Sequence, residues 1–237
     1  MKSLHVLVLC AMTAVLSLPL WAQPGGKKVI GGVSYGIGGA ALFDLDNLNT
    51  HLANMGMKGF DEGVITMGGG GDFQYCRLII GGSGHGYLGK SVTDGGFETE
   101  ISGSFGMFHL GFVPFMGKTF RLYPLIGLGG GEIRLKRIEI VEEGPFDDLY
   151  AAPPMNAEFS VSSLLFDAGL GLDFMIVIGE NNRGYGGFVL GVRAGYIFSL
   201  FTGDWYLMDE TKLTGGPEAG LNGPYIRMVF GFGGFSK

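Results

Sequence analysis

A serine and a histidine share one face of a glycine-rich segment, Gly81-Gly82-Ser83-Gly84-His85-Gly86. Residues two apart on an extended strand point the same way, so the Ser83 hydroxyl and the His85 imidazole can lie side by side. Such a pair supports nucleophilic catalysis when a carboxylate completes the set, and Asp167 or Asp173 could supply it. The competing interpretation is an inward-facing polar pair packed among glycines, and we favour this second interpretation.

Other patterns that could bind a ligand are weak. The glycine runs at 68–71 and 127–131 resemble phosphate-binding loops, but neither is followed by Lys-Ser or Lys-Thr. Cys76 is predicted to be a small buried or lipid-facing side chain. Three histidines follow residue 22, and they are too scattered for a metal cluster: His51, His85 and His109.

One long link is acidic and could hold calcium weakly, although a solvated loop is the favoured interpretation. Its acidic residues are Glu142, Glu143, Asp147 and Asp148. We therefore predict no catalytic residue, no cofactor-binding residue, no metal ligand and no cofactor.

The composition excludes two classes of chain. Among the 237 residues, 46 are glycine, 46% are hydrophobic and 16% are charged, and the mean hydropathy is +0.32. A disordered chain needs the opposite balance of apolar and charged residues. Collagen needs a strict glycine period of three, which this chain lacks.

Residues 1–22 have the pattern of a cleaved secretory signal peptide. A positive charge at Lys2 precedes an apolar stretch over 4–18, and the small residue Ala22 is the predicted cleavage point. The alternative is an uncleaved anchor helix, which we disfavour because the apolar stretch is short. The predicted mature domain, 23–237, keeps one cysteine and therefore forms no intramolecular disulfide. Its negative net charge argues against a nucleic-acid partner.

A two-residue alternation organises the most apolar segments. Between 166 and 178 the even positions are large and apolar, while the odd positions include Asp167, Asp173 and glycines. The segments 188–198 and 226–232 alternate in the same way. This period indicates strands, and it argues against membrane-spanning helices.

The same rule predicts eight strands. A change of parity near Lys136 and Arg137 predicts a bulge in the fifth. The predicted strands lie near 29–40, 62–72, 75–89, 97–113, 119–141, 159–178, 184–201 and 223–235.

The predicted links alternate between short and longer ones. Long links at 41–61, 142–158 and 202–222 and a medium link at 90–96 alternate with tight turns, which is typical of a membrane barrel with long loops on one side. Leucines at helical spacing predict a helix in the first long link, capped by Asp44 or Asp46 and ended by Gly56. It could cover the barrel mouth, although an ordered surface loop is favoured.

These features predict an all-β fold, an eight-stranded antiparallel transmembrane β-barrel. A closed sheet in lipid satisfies every backbone polar group, and a barrel of this size is filled by its own side chains. The predicted inward residues are glycines together with Glu100, Ser102, Ser104, Asp167, Asp173, Arg77, Arg193, Arg227, Glu132 and Arg134. The aromatic residues predicted to form interface girdles are Tyr35, Tyr75, Tyr87, Phe112, Phe115, Phe120, Tyr123, Tyr185, Phe201, Trp205 and Tyr225.

The chain resembles the small outer-membrane β-barrel superfamily of Gram-negative bacteria, the OmpA/OmpX- and OmpW-like "porin family" type. The resemblance rests on the leader, the strand pattern, the loop asymmetry and the aromatic–glycine last strand, 224–235. Ser236 and Lys237 follow the last aromatic residue, whereas such barrels usually end on it. The resemblance implies an outer-membrane location, but no functional residue is carried over.

It further implies a structural or surface-binding role. Alternatives are a narrow channel for small or hydrophobic solutes and a lipid-modifying enzyme, since lipid hydrolases and acyltransferases of this fold class use Ser and His with an acid. The implied partners are outer-membrane lipid, the barrel-assembly machinery, periplasmic chaperones and an extracellular ligand held by the long loops. Nucleic acid is not among them.

Overall fold

A computed structural model describes residues 29–117, 119–141, 150–151 and 153–236. The predicted signal peptide at 1–22 and the acidic residues of the 142–149 segment lie outside the described residues. The eight strands are β1 (Ile30–Leu42), β2 (Gly63–Tyr75), β3 (Leu78–Asp94), β4 (Phe97–Phe112), β5 (Phe120–Glu139), β6 (Asn156–Glu180), β7 (Gly184–Leu207) and β8 (Gly223–Ser236). One helix, α1 (Asp46–Asn54), lies between β1 and β2. Two-residue strands at Phe115–Met116 and Thr211–Lys212 extend the edges of β5 and β7.

The strands form a closed antiparallel ring, which confirms the predicted fold class. Each strand pairs with its neighbours in sequence, and β1 also pairs with β8. Following paired residues once around the ring from Gly31 leads back to β1 at Ala41, a stagger of 41 − 31 = 10 residues. For eight strands at normal spacing, this stagger gives a tilt of about 40° and a radius of about 8 Å. The interior, or lumen, is therefore just wide enough for side chains.

The predicted faces of β6, β7 and β8 are confirmed. Leu170 and Phe174 of β6 are more than half exposed on the outside, whereas Asp167 and Asp173 are buried inside. On β8 the side chain of Phe230 points outward and that of Arg227 inward. The apolar residues of these strands thus form the outer surface, and the polar ones form the core.

Glycines on the inner face make room for the large lumenal side chains. The ring of Tyr123 lies over Gly171 on the neighbouring strand, and the carboxylate of Asp72 lies over Gly81. A Cβ on either glycine would collide with these groups. The high glycine content therefore has a packing reason in the lumen.

Other glycines face outward, and at all of them except Gly69 the neighbouring atoms leave space for a Cβ. Gly36, Gly69, Gly84, Gly106 and Gly130 are paired successively across β1 to β5. A Cβ on Gly84 would meet nothing within 4 Å. These positions do not need glycine for the packing of the lumen.

Two sequence predictions about strand ends and bulges are wrong. The link predicted at 90–96 is a two-residue turn, because Gly95 and Gly96 adopt positive φ angles of 57° and 81° and let β3 run on to Asp94. The predicted bulge near Lys136 is absent, since β5 keeps its register with both neighbours. Ile138 and Ile140 simply continue its outer face. Register shifts instead follow Tyr87 on β3 and occur at three places between β6 and β7.

Several residues lie on the opposite face from the predicted one. Ser104 is exposed on the outside of β4, and Arg77 and Cys76 occupy the tight turn before β3. Strand parity also puts four more predicted inward residues on the outer face: Glu100, Ser102, Glu132 and Arg134. Five predicted girdle residues are buried inside instead: Tyr35, Tyr87, Tyr123, Trp205 and Tyr225. The polarity of these residues did not by itself indicate which face of the strand they occupy.

Helix α1 forms where the leucine spacing predicts it. Gly56 follows it with a φ of 73°, as predicted. Leu45, the residue before the helix, supplies no capping side chain, but the predicted Asp44 accepts the backbone N–H of Asp46 through Oδ1 at 3.3 Å. Leu48 and Leu52 are almost fully buried against the inner wall of the barrel. The helix therefore lies in the barrel mouth rather than on the surface. Within the described ranges, no helix is long and apolar enough to cross a membrane.

We expect Gly171→Ala to lower the free energy of unfolding by about 2 kcal/mol, because the new Cβ overpacks the buried Tyr123 ring. Gly84→Ala is the matched control, since its Cβ enters open space on the outer face. Urea unfolding of both variants in detergent micelles measures the difference. Equal losses for the two variants would contradict the packing role of the inner glycines.

Candidate functional site

Among the described residues, the buried charged and polar side chains are concentrated in the lumen. Its middle contains three arginines, three aspartates and two histidines, all of them buried: Arg121, Arg193, Arg227, Asp72, Asp167, Asp173, His85 and His109. Apolar clusters lie above and below this polar zone. The end of the barrel where β1 begins and β8 finishes is called the terminal end, and the opposite end of the barrel is called the loop end.

Arg193 forms the first buried network. Its Nη2 lies 2.6 Å from Oδ2 of Asp72, and its Nη1 donates to the Tyr35 hydroxyl at 2.8 Å. The Tyr35 hydroxyl in turn donates to Oδ1 of Asp72 at 2.9 Å. The network links β7 to β1 and β2 through the lumen.

Arg121 forms the second. Its Nη2 and Nε lie 2.8 and 3.0 Å from Oδ2 of Asp173, which also accepts the Tyr123 hydroxyl at 2.9 Å. The Nη1 of Arg121 donates to Oε1 of Gln74 at 2.9 Å. Because Gln74 lies on β2 and Arg121 on β5, this network crosses the lumen.

The third cluster is less completely paired. Both oxygens of Asp167 accept the Tyr225 hydroxyl, at 3.0 and 3.1 Å, and Nε2 of His109 lies 3.8 Å from Oδ2. The guanidinium of Arg227 lies 3.8 Å from the centre of the Tyr225 ring and 5.2 Å from that of Phe105. No carboxylate of the described chain forms an ion pair with Arg227.

The structure joins the predicted serine and histidine but not the predicted acid. The Ser83 hydroxyl lies 2.9 Å from Nε2 of His85, whose ring stacks on Phe105 at 4.6 Å. Nδ1 of His85 has no hydrogen-bond partner among the described residues. Asp167 contacts His109 and Tyr225, while Asp173 belongs to the Arg121 network. The pair therefore lacks the carboxylate that would orient the imidazole, and both side chains are buried.

Apolar side chains close the loop end of the lumen. Leu48 and Leu52 of α1 join Phe43, Trp205 and Leu221 in one buried cluster. Asn49 ties the helix to the following loop, because its amide donates to the Phe60 carbonyl and accepts the Phe60 amide, both at 2.8 Å. The helix and two loops thus act as a plug.

The terminal end is closed by another apolar group. Met175, Val189 and Phe235 pack together there, and the Arg121 guanidinium lies 5.1 Å from the Phe235 ring. A cavity of about 20 Å³ remains between these residues and Asp173. Such a cavity is the size of a single water molecule.

Three buried lumenal residues were not among the predicted inward ones: Asp72, Gln74 and Arg121. Asp72 and Gln74 alternate with the outward Phe73 and Tyr75, so a longer second strand would have marked both as inward. Arg121 alternates in the same way with Phe120. Among the described residues, no group of three or more His, Cys, Asp or Glu side chains could hold a metal ion.

No protein-family model and no curated protein matches this chain. Two crystal structures of Ail, the attachment invasion locus protein of Yersinia pestis, are similar to it at 12% and 13% identity, each with a TM-score of 0.40. Each covers 88% of this chain and 97% of Ail, and the first is a complex with the heparin analogue sucrose octasulfate. The outer membrane protease OmpT of Escherichia coli is similar at 10% identity with a TM-score of 0.31, over 90% of this chain and 97% of OmpT.

Removing one partner of a lumenal ion pair should be costly. We expect Arg193→Met to lower the free energy of unfolding by about 3–5 kcal/mol, because it leaves Asp72 buried without its partner. Arg134→Met is the control, since Arg134 pairs with Glu132 and Glu158 on the exposed outer face, and we expect a loss of about 1 kcal/mol or less. Urea unfolding in detergent measures both losses, and a similar loss in the two variants would contradict the structural role of the network.

Proposed function

We propose that this protein is an integral outer-membrane β-barrel that neither conducts nor catalyses, and that it holds an extracellular surface for binding. The observation that carries the proposal is the outer belt of apolar side chains around a closed ring with a filled lumen. In hydrocarbon, a closed sheet is one of the two arrangements that satisfy every backbone polar group.

The height of the apolar belt fits a bilayer. On β5 the apolar outer residues begin at Phe120 and give way to charge at Glu132, two residues after Gly130. The ten-residue rise from 120 to 130, at a tilt of about 40°, spans about 25 Å, which is the usual belt of an outer-membrane barrel. Exposed aromatic residues such as Tyr75, Phe120 and Phe174 lie near its lower edge.

The loops indicate the orientation. Barrels of this type keep short turns in the periplasm and long loops outside. The links at the terminal end are all short, whereas the loop end has three long links, 43–62, 140–155 and 208–222, beside the tight turn at Gly95 and Gly96. We therefore infer that the terminal end faces the periplasm. An outer-membrane location requires export and assembly, and we infer that a leader at 1–22, periplasmic chaperones and the assembly machinery serve those steps.

One side of the barrel rises well above the belt. Strands β5, β6 and β7 contain 20, 25 and 24 residues, whereas β1 and β2 contain 13 each. Large apolar side chains at the tips are exposed, including Ile140, Tyr150 and Met155. Exposed apolar residues far from the bilayer favour contact with another macromolecule. This supports the surface-binding role.

The lumen argues against the two alternatives. The side chains of α1, the charged networks and Phe235 fill successive levels, which disfavours an open channel. The Ser83–His85 pair has no orienting carboxylate, which disfavours the lipid-modifying enzyme. A scaffold with a binding surface is consistent with the filled lumen and with the incomplete Ser83–His85 pair.

Location and orientation can be tested together. We expect the mature protein to fractionate with the outer membrane and to change its gel mobility on boiling, because detergent preserves the closed barrel. We also expect a membrane-impermeant maleimide to label Tyr150→Cys in intact cells, while the native Cys76 is labelled only after the membrane is opened. Labelling of Cys76 in intact cells would reverse the orientation, and a soluble protein without a mobility change would contradict the membrane proposal.

Conductance tests the closed lumen. We expect no conductance steps when the purified barrel is inserted into planar bilayers, because apolar clusters close both ends. A porin added to the same bilayers provides the positive control. Regular steps from this protein would favour the channel alternative.

A further inference from the structure

Arg227 differs from the other two lumenal arginines. Arg121 pairs with Asp173 and Arg193 pairs with Asp72, whereas no carboxylate of the described residues pairs with Arg227. Within the described part of the chain, Nε of Arg193 has no hydrogen-bond acceptor, and Arg227 lacks one for both Nε and Nη2. The residue is only 3% exposed. A buried guanidinium with unused donors is costly, since each lost hydrogen bond leaves a desolvated polar group.

The two unused donors lie on the same edge of the guanidinium. Nε–H and Nη2–H are parallel, and this fork matches two oxygens of a planar or tetrahedral anion. The rings of Tyr225 and Phe105 face the guanidinium at 3.8 and 5.2 Å. They restrain the plane of the fork without using its donors.

Two more buried nitrogens without partners belong to the same cluster. His85 stacks on Phe105, and its Nδ1 is unpaired at 4% exposure of the residue. His109 contacts Asp167, which accepts the Tyr225 hydroxyl, and its Nδ1 is also unpaired at 5% exposure. Strands β3, β4 and β8 therefore bring three polar groups with spare hydrogen-bonding capacity into one zone.

We propose that the lumen contains a binding site for a small oxyanion, held side-on by Nε and Nη2 of Arg227 and completed by His85 or His109. This inference goes beyond the scaffold role and depends only on the lumenal geometry.

Charge balance adds a requirement. The three arginines of this zone balance the charge of its three aspartates. The charges of Arg193, Arg227 and Asp72 also interact electrostatically with the histidines. An added monoanion is neutralised when a proton is taken up within the cluster, by Asp167 beside His109 and Tyr225 or by one of the two histidines. Binding is therefore coupled to proton uptake and becomes tighter as the pH falls.

Nitrate is a suitable probe because it is small, planar and able to accept two parallel hydrogen bonds. The experiment follows urea unfolding of the mature protein in detergent by the fluorescence of Trp205, with nitrate or chloride at equal ionic strength. At ten times the dissociation constant, nitrate should raise the folding equilibrium constant about elevenfold relative to chloride. The effect should be larger at pH 6 than at pH 8.

Two variants assign the site. Arg227→Lys keeps the charge but removes the fork, so the nitrate-specific effect should fall to less than twofold. Arg134→Lys changes an exposed arginine outside the lumen and should keep the full effect. If Arg227→Lys does not fold, Arg227→Gln tests the same assignment, and the comparison of the two salts on the unaltered protein still decides whether a site exists.

Equal responses of the unaltered protein to nitrate and chloride would overturn the proposal and assign the unused donors to internal water. A full nitrate response in the foldable Arg227 variant would also overturn it. A response that does not change between pH 6 and pH 8 would overturn the coupling to proton uptake.

Discussion

The space inside an eight-stranded ring is the constraint on which this structure depends. At a radius of about 8 Å, side chains from opposite walls meet, and a large one fits only where the neighbouring strand presents almost nothing. Glycine meets that demand for Tyr123 and for Asp72. The glycines thus make room for the side chains of the buried charged networks, and those side chains fill the space that the glycines leave. Neither is explained without the other.

The same constraint determines where charge can be placed. A buried ion needs a partner, and the narrow lumen brings strands that are distant in sequence within reach of one side chain. Arg193 reaches Asp72 and Arg121 reaches Gln74 across the interior. These contacts link opposite walls, which the backbone ladders alone do not do. Apolar groups at both ends then separate the charges from solvent and keep their interactions strong.

Much of the fold follows from sequence because alternation is a local property. The eight strands, the outward faces of 166–178 and the leucine spacing of α1 each depend on residues a few positions apart. The pairing of Arg193 with Asp72 depends instead on the ten-residue stagger, which no local pattern contains. The inward position of Tyr35 and Tyr123 escaped prediction for a related reason. An aromatic ring suits the lipid interface and a glycine-lined lumen equally well, so only the register decides between them.

The Ser83–His85 pair shows why such a lumen does not become an active site by composition alone. Catalysis needs an acid behind the imidazole and a path for substrate to the hydroxyl. Here the nearby carboxylates already serve other partners, Tyr225 and Arg121, and α1 closes the mouth above them. The groups that could have formed a catalytic set instead hold the walls of the barrel together. The charged interior is therefore better explained as the means by which a glycine-rich ring stays rigid enough to carry the tall edge formed by β5, β6 and β7.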